Sequence, residues 1–156
     1  MKPKPPHVLM LTSPAFEKGG KIPFLYTCDG NETIPPLDIS GVPPQALSLA
    51  LILDDPDTSM GVFTHWVKWN IPATTSSIAE GVDPGGETGK GSSGQTEYVG
   101  PCPPAGTHHY HFKVYALDTK ITLPPGSSKQ QLEHAMKGHV IDQAELVGLY
   151  EKKKVE

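Results

Sequence analysis

Two strand-like runs set back to back constrain this chain most. Leu49, Leu51, Leu53, Asp55 and Asp57 share one parity, and Phe63, His65, Val67, Trp69 and Ile71 share another. Side chains of a strand alternate between its faces, so this spacing sets carboxylates and an imidazole among apolar neighbours. Polar groups held there are buried and need partners. Ser48 to Leu53 is apolar at both parities, as expected of a central strand.

A second segment brings matching chemistry. Gly100-Pro101-Cys102-Pro103-Pro104 leads into His108-His109-Tyr110-His111-Phe112-Lys113-Val114. Read as a strand, it turns His108, Tyr110, Phe112, Val114 and Ala116 to one face and the wetter His109, His111 and Lys113 to the other. Any one of these polar residues alone is more often a satisfied core residue than a ligand. Three separated segments each carrying a titratable group to an apolar face, beside proline-rich loops, point instead to a pocket.

These blocks resemble the phosphatidylethanolamine-binding protein family, and most closely its bacterial and archaeal branch of Raf-kinase-inhibitor-like proteins. Six stretches carry the resemblance in order: Tyr26 to Asn31 with Pro35-Pro36-Leu37, Asp55-Pro56-Asp57, His65-Trp66, Tyr98 to Pro104, His108 to Phe112, and Ala144 to Gly148. The resemblance implies a mainly β chain, an antiparallel β-sandwich with one or two short helices near the C-terminus. It also implies a small open pocket for phosphate-like anions such as the head of phosphoethanolamine, built from Asp55, His65, Pro104, His108 and Tyr110. Backbone N–H groups from Gly100 to Cys102 would face the anion, with Asp57, Ser59 and Trp66 as pocket support. Members of the family are better known as binders and inhibitors of other enzymes, so the expected partners are a phosphoryl ligand and a kinase or protease. Bacterial relatives suggest a homodimer.

The chain departs from that pattern in two places. Many relatives carry a proline two residues after the second aspartate, where this chain has Ser59, and the usual His-Arg-Tyr is here His108-His109-Tyr110. All 13 basic residues are lysines, so no guanidinium fork is present to grip an anion through two parallel bonds. Anion capture then falls to imidazoles. A neutral ring donates one hydrogen bond, while a protonated ring donates two and adds a charge. Asp55 makes sense as the group that orients a histidine. Anion affinity is therefore expected to rise as pH falls through the histidine range.

Composition narrows the remaining classes. The 156 residues suit one domain spanning 1–156, and 16 glycines with 17 prolines favour turns and strands over long helices. A net charge of −4 argues against nonspecific attraction to nucleic acid. No apolar run approaches the ~20 residues of a membrane span, and the N-terminus lacks a signal-peptide core, which together predict a cytoplasmic protein without membrane insertion. Residues 1–6 read as an extended arm and 151–156 as a lysine-rich tail. For Cys28 and Cys102 the default is two reduced thiols, and a redox-sensitive pair beside the pocket is the alternative.

Short strands are expected at His7–Leu11, Ile22–Tyr26 and Leu37–Ile39, longer ones at Val62–Ile71, His108–Leu117 and Ala144–Tyr150. One helix is expected from about Lys129 to Lys137, capped by Ser127 or Ser128 and ended by Gly138. Asp83 to Thr96 reads as a mobile polar loop. Its Gly86-Glu87-Thr88-Gly89-Lys90 lacks the spacing and the flanking strand and helix of a phosphate loop.

Three functional classes follow: a ligand-binding regulatory protein, a small hydrolase or lyase using Asp55 and His65 as an acid–base pair, and a metalloprotein using His65, His108 and Asp55 or Asp57. The first is favoured, because no serine elbow accompanies the acid–base pair and no histidine spacing is typical of a metal site. No cofactor is expected.

Overall fold

The computed structural model describes residues 8–152. The arm at 1–6, His7 and the tail beyond Lys152 lie outside the described residues. Among the described residues, eight strands form two antiparallel sheets. A small sheet, in the order β1-β2-β5, joins Met10–Thr12, Leu37–Ser40 and Ser77–Ile78. A large sheet, in the order β6-β4-β3-β7-β8, joins Glu87–Thr88, Gly61–Ile71, Ser48–Thr58, Thr107–Leu117 and Val140–Glu151.

Strand β3 is central and buried on both faces, as its unbroken apolar run requires. Leu49, Leu51 and Leu53 enter the main core between the sheets with Leu37, Ile39, Phe112, Val114 and Leu146. Ala50 and Ile52 enter a second core on the outer face with Val67, Trp69, Leu117 and the helix residues Leu132 and Met136. That helix, α1 at Lys129–Met136, starts where Ser128 accepts from the Gln131 N–H and Gln131 answers the Ser128 N–H. The Gly138 backbone just past its end adopts φ 83°, which costs a side-chain-bearing residue more than glycine. It is the single α-helix among the described residues, where one or two were expected.

Four expectations are corrected. The first strand is Met10–Thr12, not His7–Leu11. Residues 22–26 form a 3₁₀ turn at Phe24–Tyr26 in place of a strand, because Pro23 has no N–H to give a ladder and its carbonyl instead accepts from Tyr26. The Asp83–Thr96 loop is pinned down: buried Lys68 bonds Asp83 and Thr88, both at 2.8 Å, and the Gly89 and Ser92 amides bond carbonyls of β4. The two cysteines are not free thiols but a Cys28–Cys102 disulfide, with Cα atoms 5.3 Å apart across a separation of 74 residues.

The strict parity expected of β4 also fails, for a physical reason. Leu53 pairs with Trp66 and Asp54 with Thr64, so His65 is an extra residue without a partner on β3. This bulge turns His65 to the same side as Trp66, toward the main core. A second irregularity at Asn70, with φ 56°, returns Ile71 to that core while Val67 and Trp69 serve the outer one. Asn70 is held there by reciprocal bonds with the Ile121 backbone, 2.9 and 2.8 Å.

Candidate functional site

At the end of the sandwich where β7 parts from β3, a cavity of about 350 Å³ opens. Regular alternation along β7 buries His108 and Tyr110 on the core side. Pairing between β3 and β7 stops at Asp54, so Pro56, which has no N–H, interrupts no bond there. Beyond that point the two aspartates divide the work. Asp55, 2% exposed, receives the His108 Nδ1–H on Oδ2 at 2.6 Å and the Asp57 amide on Oδ1 at 2.8 Å. Asp57 lies outside the cavity and accepts from the His109 backbone and Nδ1, both at 2.7 Å, which holds its carboxyl below the usual range. The expectation that both aspartates face inward thus holds for Asp55 alone.

His65 arrives from the β4 bulge. Its Nδ1 donates to the Val99 carbonyl at 2.9 Å, and Gln95 Nε2 donates to the His65 backbone carbonyl at 3.1 Å. With Nδ1 spent on Val99, Nε2 is the ring atom left for a ligand. Burial pushes the His65 pKa down, against the opposing pull of the Val99 carbonyl and of Asp55. Both imidazoles contact the ring of Tyr110, His65 edge-on at 5.5 Å between centroids and His108 stacked at 6.4 Å. Tyr110 Oη is sealed from solvent with no well-formed hydrogen bond. Burial first, then the Asp55 carboxylate, raises its pKa, so it stays a hydrogen-bond donor at any physiological pH.

The opposite wall is a pair of loops locked together. Tyr98 Oη donates to the Tyr26 carbonyl at 2.7 Å, the Cys28 amide to Pro101 at 3.0 Å, and the disulfide closes the junction. The loops meet so closely that a Cβ at Gly100 would lie 2.2 Å from the Tyr26 carbonyl oxygen. Six of the predicted residues line the cavity: Asp55, His65, Gly100, Cys102, Pro104 and His108. Tyr110 lies beneath the imidazoles, Trp66 is a core residue against Tyr98, and Ser59 is exposed in the β3–β4 turn, where Thr58 takes its place on the wall.

Sequence reasoning missed Glu32, Phe63, Ser93 and Val99, which also line the cavity. It also assigned the Gly100 amide to an anion, whereas that N–H donates to Glu32 Oε1 at 3.1 Å. Ser93 was detectable as part of the polar loop, but Glu32 left no signal. The acid–base partner of Asp55 is His108 and not His65. Ser93 Oγ donates to Gln95, so the one cavity serine is not hydrogen-bonded to either imidazole. Among the described residues, no group of three histidine, cysteine or acidic side chains is arranged to hold a metal ion. A wider groove along β1 and β8, about 530 Å³, is lined by Leu9, Met10, Phe16, Lys18 and Leu146 and brings no imidazole.

Comparison with known proteins decides the family. The family model described as phosphatidylethanolamine-binding protein matches residues 12–151. The chain belongs to the phosphatidylethanolamine-binding protein family. A UPF0098 protein of Pyrococcus horikoshii is 51% identical over 151 residues, covering 90% of this chain and 76% of the relative. One from Methanothermobacter thermautotrophicus is 49% identical over 146 residues, 90% of this chain and 97% of its own. Among solved structures, the putative phosphatidylethanolamine-binding protein homologue of Chlamydia trachomatis superposes with a TM-score of 0.92 at 41% identity, covering 95% of this chain and all of that one. Escherichia coli YbcL, described as a new member of the mammalian family, gives 0.85 at 32% identity, with 93% and 99% coverage. The family's β-sandwich is the fold observed here, and the cavity lies among the blocks that carried the resemblance.

Proposed function

We propose that this member of the phosphatidylethanolamine-binding protein family binds a small phosphoryl anion in the cavity between His65 and His108, as a regulatory protein. One observation carries the reading: two imidazoles from separate strands line one cavity and flank the same buried tyrosine. Each ring spends Nδ1 on a protein acceptor, so Nε2 of each is the atom left to donate to an anion once protonated. Asp55 orients His108 and offsets its charge.

A hydrolytic role finds less support, since Asp55 and His108 form a pair without an aligned nucleophile. A kinase or protease inhibited through the cavity rim, where Met60 is 94% exposed, is the partner class that suits a regulatory binder. The direct test is calorimetric titration with phosphoethanolamine at pH 6. His65→Ala and His108→Ala should each abolish binding while His109→Ala, on the outer face, leaves it within about twofold of the wild type. Equal losses from His108→Ala and His109→Ala would contradict the reading.

A further inference from the structure

The cavity wall contains a bond that a thiol can break. Cys28 and Cys102 both line the cavity, one from each loop, and they are the only cysteines of the chain. Cys102 is exposed between the buried Pro101 and Pro103, while Cys28 is half-buried in the turn that Thr27 closes with Asp29 and Gly30. Disulfides sealed in a core resist reduction, whereas exposed ones exchange with thiols. The Cys102 side is thus the one a thiolate meets from solvent.

Each loop keeps anchors of its own beside its sulfur, so cleavage loosens the seam without unfolding it. Across the seam, the Cys28 amide still reaches Pro101, Tyr98 Oη the Tyr26 carbonyl, and the Gly100 amide Glu32. The loop that carries Cys102 also offers the Val99 carbonyl to His65 Nδ1 at 2.9 Å, which fixes how that ring presents Nε2 to the cavity. A shift of residues 98–102 away from residues 26–32 therefore displaces the wall and one of the two imidazoles together.

We propose that the Cys28–Cys102 disulfide is a thiol-exchange site that controls the cavity: a dithiol reduces it, and the reduced protein holds its anion more weakly. A thiolate of the dithiol attacks Cys102 Sγ, the bond to Cys28 breaks, and Cys28 leaves as a thiolate that is protonated from water. The second thiolate of the dithiol then attacks the reductant's sulfur in the mixed disulfide, and Cys102 leaves and is protonated in turn. Two electrons and two protons pass to the protein, which ends with two thiols, while the dithiol ends as a disulfide. This rests on the anion-binding reading above and adds how that site is regulated.

The test is calorimetric titration of phosphoethanolamine into the oxidised protein and into protein reduced with dithiothreitol, with thiols counted by alkylation and mass spectrometry. Because the chain has no third cysteine, the reductant acts at this bond alone. A wall that keeps its ligand-competent arrangement a tenth of the time weakens apparent affinity about tenfold, and a loss of about that size is expected on reduction. Linkage requires the reciprocal effect. Saturating phosphoethanolamine should make the disulfide harder to reduce by the same factor, about 30 mV for a tenfold change in this two-electron couple. The Cys28→Ala, Cys102→Ala double variant should bind like the reduced wild type and be indifferent to dithiothreitol. Circular dichroism should be the same for both redox forms. Unfolding on reduction, or a bond that dithiothreitol leaves intact in the folded protein, overturns the proposal. Equal affinity in the two forms, with binding still lost in His108→Ala, overturns the redox control alone. Absence of binding in both forms overturns the anion reading along with it.

Discussion

His65 illustrates how one side chain carries two opposed demands. Burial favours its neutral ring, while an anion in the cavity favours the charged one. The folded protein therefore binds a proton at His65 less readily than the unfolded chain, whose histidine titrates near pH ~6.5. Where the unfolded state holds more protons, stability increases with pH. The His65 contribution is thus complete above pH ~6.5 and is lost as pH falls from there toward the depressed folded value, at up to about 1.4 kcal/mol per unit. Urea midpoints of the ligand-free protein between pH 7.5 and 5 should decline, and the decline should be shallower in His65→Gln. Parallel curves for the two proteins would show that His65 is not held neutral by the fold.

At the level of elements, the regular ones were legible and the irregular ones were not. Strand β7 alternates without interruption, so the inward set from His108 to Ala116 could be read directly, and α1 announced itself through Ser128, its Leu132 and Met136 stripe and Gly138. The side that His65 faces depends on the β4 bulge, which exists because β3 pairs at Leu53 and Asp54 across an odd number of residues, a tertiary fact absent from any local pattern. Glu32 entered the wall through a left-handed backbone that its residue type does not advertise. Asp54, at the opposite parity to Asp55, is buried on the outer face by Thr64 at 2.9 Å and Lys129 at 2.7 Å, a structural role that sequence reasoning passed over.

The loop-on-loop wall supplies the element-scale prediction. Gly100→Ala would force a Cβ into the Tyr26 and Thr27 backbone, atoms that a rotamer change cannot clear. It should cost about 2 kcal/mol or more in denaturant unfolding and weaken phosphoethanolamine binding together with it. A variant as stable as the wild type would mean that the 26–28 and 98–102 segments are not packed as described.

Across the whole molecule, the sandwich buries its core well, but its cavity wall hangs on one covalent tie. The cysteine pair could not be read from the sequence because 74 residues separate the two positions and only the folded sheets bring them together. Closing a loop of that length limits the unfolded chain enough to contribute about 4 kcal/mol in the chain-entropy picture. The Cys28→Ala, Cys102→Ala double variant should lose stability on that order by denaturant midpoint and bind the anion more weakly, since both cysteines line the cavity. Full stability in the double variant would indicate that the disulfide closes no loop in the native protein.

The central claim is that an anion enters between His65 and His108 and is met by protons on Nε2. Nitrogen-15 NMR of the histidine rings at pH 7, with and without saturating sulfate, measures this most directly because sulfate keeps its charge throughout the range. The His65 Nε2 resonance should move from the neutral to the protonated position on binding, while exposed His109 remains where it was. A cavity that binds sulfate with His65 still neutral would contradict the account.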